Sequence, residues 1–437
     1  MTPGARLAAA IELIDDIAGG DAPADRRIDA YMRKRRFIGS KDRAAVTERV
    51  YGLLRRRARL DWWIERSGLD AKTRTRLIAD LVATDKLGRT EIGQMMTGQR
   101  YDPPPPSPAE LRLIARLGAA RAQIDHADMP PSVQGDCPDW LWPRLEALYG
   151  AAAVTELKAL NEPASFDLRV NTLKATRDEV LADLKPLGLG ARPTALSPHG
   201  VRLAQRWPVD RIPAFKEGKV EVQDEGSQLV AMLADVEPGM RVVDFCAGAG
   251  GKTLAMAARM QNRGHIVACD INAKRIERAV LRLRRAGVQN VERRTLSTER
   301  DPWIKRHARK FDRVFVDAPC TGTGTWRRNP DAKWWLKPGH IDELVTLQSR
   351  ILESAARLAR PDGRVIYVTC SLLPEENENQ VAAFLAAHDD FILVPVPSLW
   401  GKAVGGACPV ATDMLRLTPA RHGTDGFFAA ILQRKPS

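Results

Sequence analysis

The chain has 437 residues, with 67 Lys and Arg against 54 Asp and Glu, and 44% of it is hydrophobic. That length exceeds one ordinary domain, and the composition excludes a disordered or low-complexity chain. No apolar run reaches membrane-spanning length, and residues 1–20 lack the basic start and apolar stretch of a secretory signal. A cytoplasmic, monomeric chain without membrane contact is expected.

The net charge of +13 favours a polyanionic partner, because each neutralised phosphate releases counterions. Basic runs fall at Arg33-Lys34-Arg35-Arg36, at Arg55-Arg56-Arg57, at Arg282, Arg284 and Arg285, and at Arg327-Arg328. For any one run the competing reading is a solvated helix face. The six cysteines, Cys137, Cys246, Cys269, Cys320, Cys370 and Cys408, form no C-x-x-C pair. No metal site is expected, and no disulfide.

In chain order, residues 1 to about 125 read as helical, with Leu7, Ile11, Ile14 and Ala18 at helical spacing, as are Val46, Val50, Leu53 and Leu54. Asp102 followed by four prolines breaks the pattern, and a short helix is expected over 108–118. Beyond a second break at 129–138, helices are expected over 140–149 and 151–161. A strand is expected at 166–170, a helix at 177–184 and a strand at 220–222. From Pro238 the pattern changes to alternation. Strands are expected at 241–245, 266–270, 314–317 and 364–369, with helices at 252–260, 273–285, 341–358 and 375–387. Strands alternating with helices predict an α/β fold with a Rossmann-like, doubly wound parallel sheet whose ligands sit at the carboxyl ends of the strands.

The first of these strands runs into Cys246-Ala247-Gly248-Ala249-Gly250-Gly251-Lys252-Thr253. Glycines between strand and helix let a ligand approach the backbone, and the helix start offers free N–H groups to an anion. The run misses a phosphate-binding P-loop because Cys246 stands at the first glycine. It misses a dinucleotide fingerprint because Thr253 stands at the third. S-adenosylmethionine remains, with a carboxylate for the helix end and an adenosine for the sheet. Asp270, at the end of the next strand, is placed to take ribose hydroxyls; the competing reading is a cap for the following helix.

Asp317-Ala318-Pro319-Cys320 ends one strand and Thr369-Cys370-Ser371 ends another. In a doubly wound sheet both ends open onto the crevice that holds the cofactor loop. A chemistry that uses this set is methylation of carbon 5 of cytosine. A thiolate adds to carbon 6, which makes carbon 5 nucleophilic; an acid assists at the ring nitrogen, and a base later removes the carbon 5 proton. Only about 3% of an ordinary cysteine is thiolate at neutral pH, so a cation such as Lys252, Arg327 or Arg328 is wanted nearby. Trp326, Trp334 and Trp335 are candidates to hold an unstacked base, with core packing as the alternative.

Through these motifs the chain resembles the Sun-type (RsmB/NOP) RNA cytosine-5 methyltransferases over most of residues 140–437. The likeness also rests on Asn329-Pro330-Asp331, Glu375-Glu376-Asn377, Gly322 and Gly324, Arg169-Val170-Asn171-Thr172 and Gln223-Asp224-Glu225-Gly226-Ser227. It implies that Cys370 is the nucleophile, that Cys320 helps release the product and that Asp317 contacts the cytosine beside the cofactor. Cys246, Ala247, Gly248, Ala249, Gly250, Gly251 and Lys252 would line S-adenosylmethionine, with Asp270, Arg275 and Asp317. Residues 5–70 are similar to the helical NusB antiterminator through Val50-Tyr51-Gly52-Leu53-Leu54-Arg55 and Leu60-Asp61-Trp62. That likeness points to the bacterial branch that modifies 16S ribosomal RNA. Arg33, Arg36, Arg327 and Arg328 are the expected RNA contacts.

The expected domains are a helical RNA-binding region at 1–130, a small α/β RNA-contacting module at 131–235 and a methyltransferase domain at 236–437. Two departures from the family pattern stand out. Gly248-Ala249 replaces a proline-containing turn, and Thr295-Leu296-Ser297 lacks the acid that meets adenine in related enzymes. Rival readings are a transfer RNA methyltransferase, a cytosine-5 enzyme in which Cys320 attacks, and an RNA-binding factor with a degenerate enzyme domain.

Overall fold

The computed structural model describes residues 1–20, 22–119 and 123–436, which form two compact units. The first comprises Met1–Pro163 with Trp326–Leu336, and the second comprises Ala164–Thr325 with Lys337–Ser437. The boundaries expected at 130 and 235 both fall inside a unit, with helices on either side of 130 and strands and helices on either side of 235. Compactness instead groups the helices up to Asn161 together and places both sheets in the second unit.

The first unit is helical, beginning with Pro3–Gly19, whose first turn is closed by Thr2 accepting from the Ala5 amide. Its buried stripe is Leu7, Ala10, Leu13, Ile14 and Ile17. The stripe is rotated from the expected one, leaving Ile11 half-buried and Ala18 exposed. Arginines cross-brace the helices from inside. Fully buried Asp80 accepts from Arg49 at 2.5 Å and from Arg56 Nε at 2.8 Å, and fully buried Asp136 accepts from Arg59 Nε at 2.6 Å. The run at 55–57 is therefore structural rather than a solvated face. Arg57 lies 3.7 Å from Asp61 and over the Trp334 ring, and Arg55 donates to the Arg327 carbonyl at 3.0 Å.

Trp326 is buried in this unit, while Trp334 and Trp335 pack on its apolar core, with Trp334 Nε1 donating to the Leu54 carbonyl at 2.7 Å. Trp334 and Trp335 thus pack on the core, one of the two readings that the sequence left open. Among them lies Lys333, fully buried and pushed down by burial to about 8, with Nζ donating to the Arg55 carbonyl and to Asn161. Arg327 is also buried, 3.4 Å from the Pro163 carbonyl. That departs from the exposed phosphate contact expected of it.

In the second unit, strands β1 (Phe166–Val170), β2 (Arg192–Pro193), β3 (Gly200–Leu203) and β4 (Val220–Val222) form an antiparallel sheet in the order β2-β3-β1-β4. The helix Arg177–Leu184 opens with a capping box made by Thr176 and Glu179. Val180 and Leu184 from it pack on Leu168, Val170 and Val201.

The large sheet comprises β5 (Arg241–Asp244), β6 (His265–Asp270), β7 (Val291–Thr295), β8 (Phe311–Asp317), β9 (Ala359–Thr369), β10 (Phe391–Val394), β11 (Leu415–Leu417) and β12 (Phe427–Arg434). Its order is β10-β12-β9-β8-β5-β6-β7, with β11 also on β12. The pairs among β5 to β9 are parallel. Both faces are covered: Val243, Val267, Val314, Val365 and Tyr367 enter one core, and Val242, Ile266, Phe315, Ile366 and Val368 enter the other. That double burial explains the continuous apolar runs, and each such side chain contributes roughly 1.5–3 kcal/mol.

The sheet is not wholly parallel as expected, since β12 runs antiparallel to β9 and β10. Antiparallel β11 and β12 are joined by a short connection, so no crossover helix is needed there. Among the described residues no helix is long and apolar enough to cross a membrane.

Candidate active site

The site is built on the carboxyl ends of β5, β6, β8 and β9. After β5 the chain turns through residues 245–250 into the helix Gly251–Arg259. Gly248 and Gly250 have φ of 56° and 78°, the left-handed region that glycine enters without penalty. A Cβ on Gly250 would lie 3.2 Å from the Ala279 Cβ. Three bonds hold the loop. The Ala247 amide donates to the Cys269 carbonyl at 2.8 Å, the Gly248 amide to Asp270 Oδ2 at 2.9 Å, and Arg282 Nη1 to the Ala249 carbonyl at 2.8 Å. Arg282 is in turn fixed by buried Glu221 at 3.1 Å.

The next helix is capped by Asn272, whose side chain accepts from the Arg275 amide, so Asp270 is not its cap. Asp270 Oδ2 pins the glycine loop, and Oδ1 accepts from the Asn272 amide at 2.7 Å ahead of the next helix. Each oxygen keeps a lone pair for a further donor. Arg275 is not brought into this cluster; its side chain is exposed on the helix Ala273–Ala286. The segment lacking the expected acid is filled by Leu296, which is buried in the core. The next carboxylate along the chain with a local role is Asp301, which turns back on Ser297 N and Oγ at 2.9 and 2.8 Å.

Beneath the loop is Asp244, 1% exposed. Thr253 Oγ1 donates to its Oδ2 at 2.6 Å, while Oδ1 is buried with no hydrogen-bond partner among the described residues. An orphaned carboxylate oxygen under a glycine turn fits a ligand that carries an ammonium group; the free N–H groups of the helix start fit a carboxylate. An amino-acid-bearing cofactor has both groups.

Burial pushes Asp244 up to about 7, with the Thr253 hydroxyl pulling the other way. Because the folded value lies above the unfolded one, this stabilising contribution is complete below the unfolded value near pH 4 and is lost as pH rises to about 7. Asp244→Asn, neutral throughout, is therefore expected to raise thermal stability at pH 8 relative to the parent and to give no gain at pH 4. Unfolding curves at the two pH values check this, and the same shift at both would contradict it.

Across the loop, Lys252 Nζ donates to Asp317 Oδ2 at 2.5 Å. Burial pulls this lysine down, but Asp317 outweighs it and, helped by Cys370 and Asp244, holds it above the ordinary lysine value. Cys320 and Cys370, from the ends of different strands, stand with their sulfurs 3.4 Å apart. The hydrogen bond to Cys370, then burial, raises Cys320 well above the usual thiol range. Cys320 is therefore the partner that keeps its proton. Cys246 is also held as a thiol by burial.

The loops bearing the two sulfurs are tied together by Glu376, which is fully buried. Its Oε1 accepts from the Thr321 amide and Gln348 Nε2, both at 2.9 Å, and its Oε2 from Thr321 Oγ1 at 2.5 Å and from Ser371 Oγ. Asn377 Nδ2 donates to the Ser371 carbonyl at 2.9 Å. Thr321 follows one cysteine and Ser371 the other. The sequence motif contained Glu376, but nothing in its spacing showed which groups the carboxylate would meet.

Gly324 lets two backbones meet, its amide donating to the Cys370 carbonyl at 2.9 Å and its carbonyl accepting from the Gly426 amide at 2.8 Å. A Cβ there would lie 2.4 Å from the Gly426 carbonyl oxygen and 2.8 Å from that of Cys370. Gly324→Ala should cost about 1–3 kcal/mol or more and displace the Cys370 strand end. Thermal unfolding and the alkylation rate of Cys370 check this; parental values for both would contradict it.

The expected RNA contacts divide. Arg33 and Arg36 are exposed and Arg328 half-buried, but none of them belongs to the unit that carries the two sulfurs.

This sheet order, with a glycine loop after β5 and an acid ending β6, defines a Rossmann-like methyltransferase. Residues 231–433 match the family described as 16S rRNA methyltransferase RsmB/F, and residues 137–210 match the ferredoxin-like domain of RsmF/B-like methyltransferases. A probable ribosomal RNA small subunit methyltransferase B of Synechocystis is 32% identical, over 97% of this chain and 98% of its own. The Pectobacterium carotovorum ribosomal RNA small subunit methyltransferase B is 31% identical, over 91% of this chain and 92% of its own. The crystal structure of PH0851 superposes with a TM-score of 0.76 at 27% identity, covering 99% of each chain. The chain belongs to the RsmB/F methyltransferase family.

Proposed function

We propose that this chain methylates carbon 5 of a cytosine in RNA, namely small-subunit ribosomal RNA, through a covalent bond between Cys370 and carbon 6 of the base. The observation that supports it most is the pair of sulfurs 3.4 Å apart beside the Lys252–Asp317 ion pair. The named relatives act on ribosomal RNA by their descriptions, and the net charge of +13 suits such a partner.

S-adenosylmethionine, when bound, supplies the methyl group as an electrophile. Residues 246–252 line its amino-acid end, Asp244 Oδ1 takes the ammonium, and Asp270 takes the ribose hydroxyls. What the protein's own groups do then follows from their placement. In this reading Cys370 attacks as a thiolate, with Cys320 keeping its proton 3.4 Å away and the Lys252 ammonium as the cation of the site. The Cys370 thiolate adds to carbon 6, and the electron pair of the carbon 5–carbon 6 double bond moves to carbon 5, where it forms the bond to the transferred methyl group. Asp317, oriented by Lys252, contacts the polar edge of the cytosine and assists that addition.

Once Cys370 is bonded to carbon the charge that raised Cys320 is gone. The Cys320 thiol becomes easier to ionise at the stage that needs a base. It removes the carbon 5 proton, the double bond re-forms and Cys370 leaves as thiolate. Arg33, Arg36 and Arg328 are assigned to phosphates of the RNA.

Bisulfite sequencing of small-subunit ribosomal RNA, from cells with and without the gene, tests the reaction and its substrate. One cytosine should lose its methylation without the gene. An unchanged ribosomal RNA pattern with a lost transfer RNA site would overturn the substrate, and no change anywhere would overturn the activity.

A further inference from the structure

At the far end of the helix Gly251–Arg259 from the glycine loop, a cavity of about 260 Å³ lies between that helix and the strand-end segments of the small sheet. It shares no lining residue with the site described above. Arg169, Thr172, Ser197, His199, Gln228, Arg259 and Gln261 provide its polar lining, and among the described residues no carboxylate borders it.

Arg169 is the penultimate residue of β1 and is 5% exposed. Its Nε is buried without a hydrogen-bond partner, and among the described residues its guanidinium makes no ion pair. The carboxylate facing it across the strands is Glu221. Both Glu221 oxygens are occupied, one by Arg282 at 3.1 Å and the other by Arg285. Arg259 meets Asp235 at 3.5 Å, but that acid also faces Arg364 at 3.3 Å and Lys402 at 3.2 Å. The surroundings thus hold more cationic than anionic charge, and a desolvated guanidinium without an anion is costly.

Donors for an anion are present. Ser197 Oγ is engaged with Gln228 at 2.8 Å, which leaves the Thr172 hydroxyl and the His199 ring. A planar guanidinium beside neutral donors suits a tetrahedral oxyanion, to which it can bond through two N–H groups at once.

We propose that this cavity is a phosphate-binding site, with Arg169 as its charged ligand and Thr172 and His199 as its neutral ones. The phosphate is either a backbone group of bound RNA, which rests on the RNA reading above, or a free phosphate ion.

The test is thermal unfolding of the full chain titrated with sodium phosphate, against sodium chloride at matched ionic strength. Phosphate should give a rise of about 1.5–2.5 °C at ten times its Kd that keeps growing with the logarithm of concentration. Arg169→Met should abolish the rise. Should that variant fail to fold, Thr172→Val and His199→Ala, at exposed and half-buried positions, should each raise the phosphate Kd several-fold. Equal responses to phosphate and chloride, or variants that keep the parental phosphate response, would overturn the proposal.

A short single-stranded RNA then separates the sources. Displacement of phosphate by RNA assigns the site to the RNA backbone, and an unchanged phosphate Kd assigns it to the free ion. No arm reads methylation, so a failure here is distinguishable from failure of the activity assigned above.

Discussion

Cys370→Ala is expected to lower methyl transfer by about 10⁴-fold or more, with the fold and cofactor binding retained. Cys370 follows β9 and is only partly buried at the margin of a core cluster, and the neighbouring strand end is held by Gly324, Glu376 and Asn377 through backbone and hydroxyl groups. Cys320→Ala should behave differently. Attack needs only the Cys370 sulfur, but release needs a base, so this variant should accumulate a protein–RNA adduct that survives denaturing electrophoresis. The opposite pattern, with the adduct in the Cys370 variant, would make Cys320 the nucleophile.

The second large effect is expected at Glu376, which acts through its neighbours as a positioning residue. Its two oxygens accept four hydrogen bonds, from Thr321 twice, Gln348 and Ser371, in a fully buried setting. Glu376→Ala takes the acceptor from the Thr321 amide and leaves Gln348 Nε2 with the Pro319 carbonyl alone. The cost should be about 3–5 kcal/mol, read as a fall in melting temperature of several degrees. Glu376→Gln keeps the volume but turns an N–H group toward donors, so it should also weaken the tie. Because the bonds join the residues after Cys320 and Cys370, kcat should fall about 100-fold or more. The KM for S-adenosylmethionine should stay near the parental value, since Glu376 touches no part of the glycine loop. A parental kcat in the glutamine variant, or a rise in cofactor KM alone, would contradict this role.

Much of this site could be read from the sequence, and the reasons are local. A strand ending in Asp244, a glycine run and a helix start must place residues 246–252 at a strand end. The same logic puts Cys320 and Cys370 at strand ends facing one crevice. Spacing could not show that the sulfurs meet at 3.4 Å, or that Lys252 pairs with Asp317. Those contacts join segments 50 and 65 residues apart and depend on strand order.

Edge strand β7 was not read because Val291, Glu292, Arg293, Arg294 and Thr295 have no apolar alternation. Such polar composition protects an exposed sheet edge. Charge was the least legible signal. Arg56 and Arg59 look like surface cations in sequence, yet they hold the buried carboxylates Asp80 and Asp136. Arg282 and Arg285 converge on Glu221 in the same way, and Arg327 is buried. A run of arginines does not disclose the distant acid that neutralises it. Arg33 and Arg36 lie exposed.

The most direct measurement is peptide mapping by mass spectrometry of the adduct formed by Cys320→Ala with substrate RNA and S-adenosylmethionine. The account predicts a methylated cytidine nucleotide attached to the peptide containing Cys370, and to no other peptide. Attachment at another residue, or a variant that turns over normally without any adduct, would contradict it.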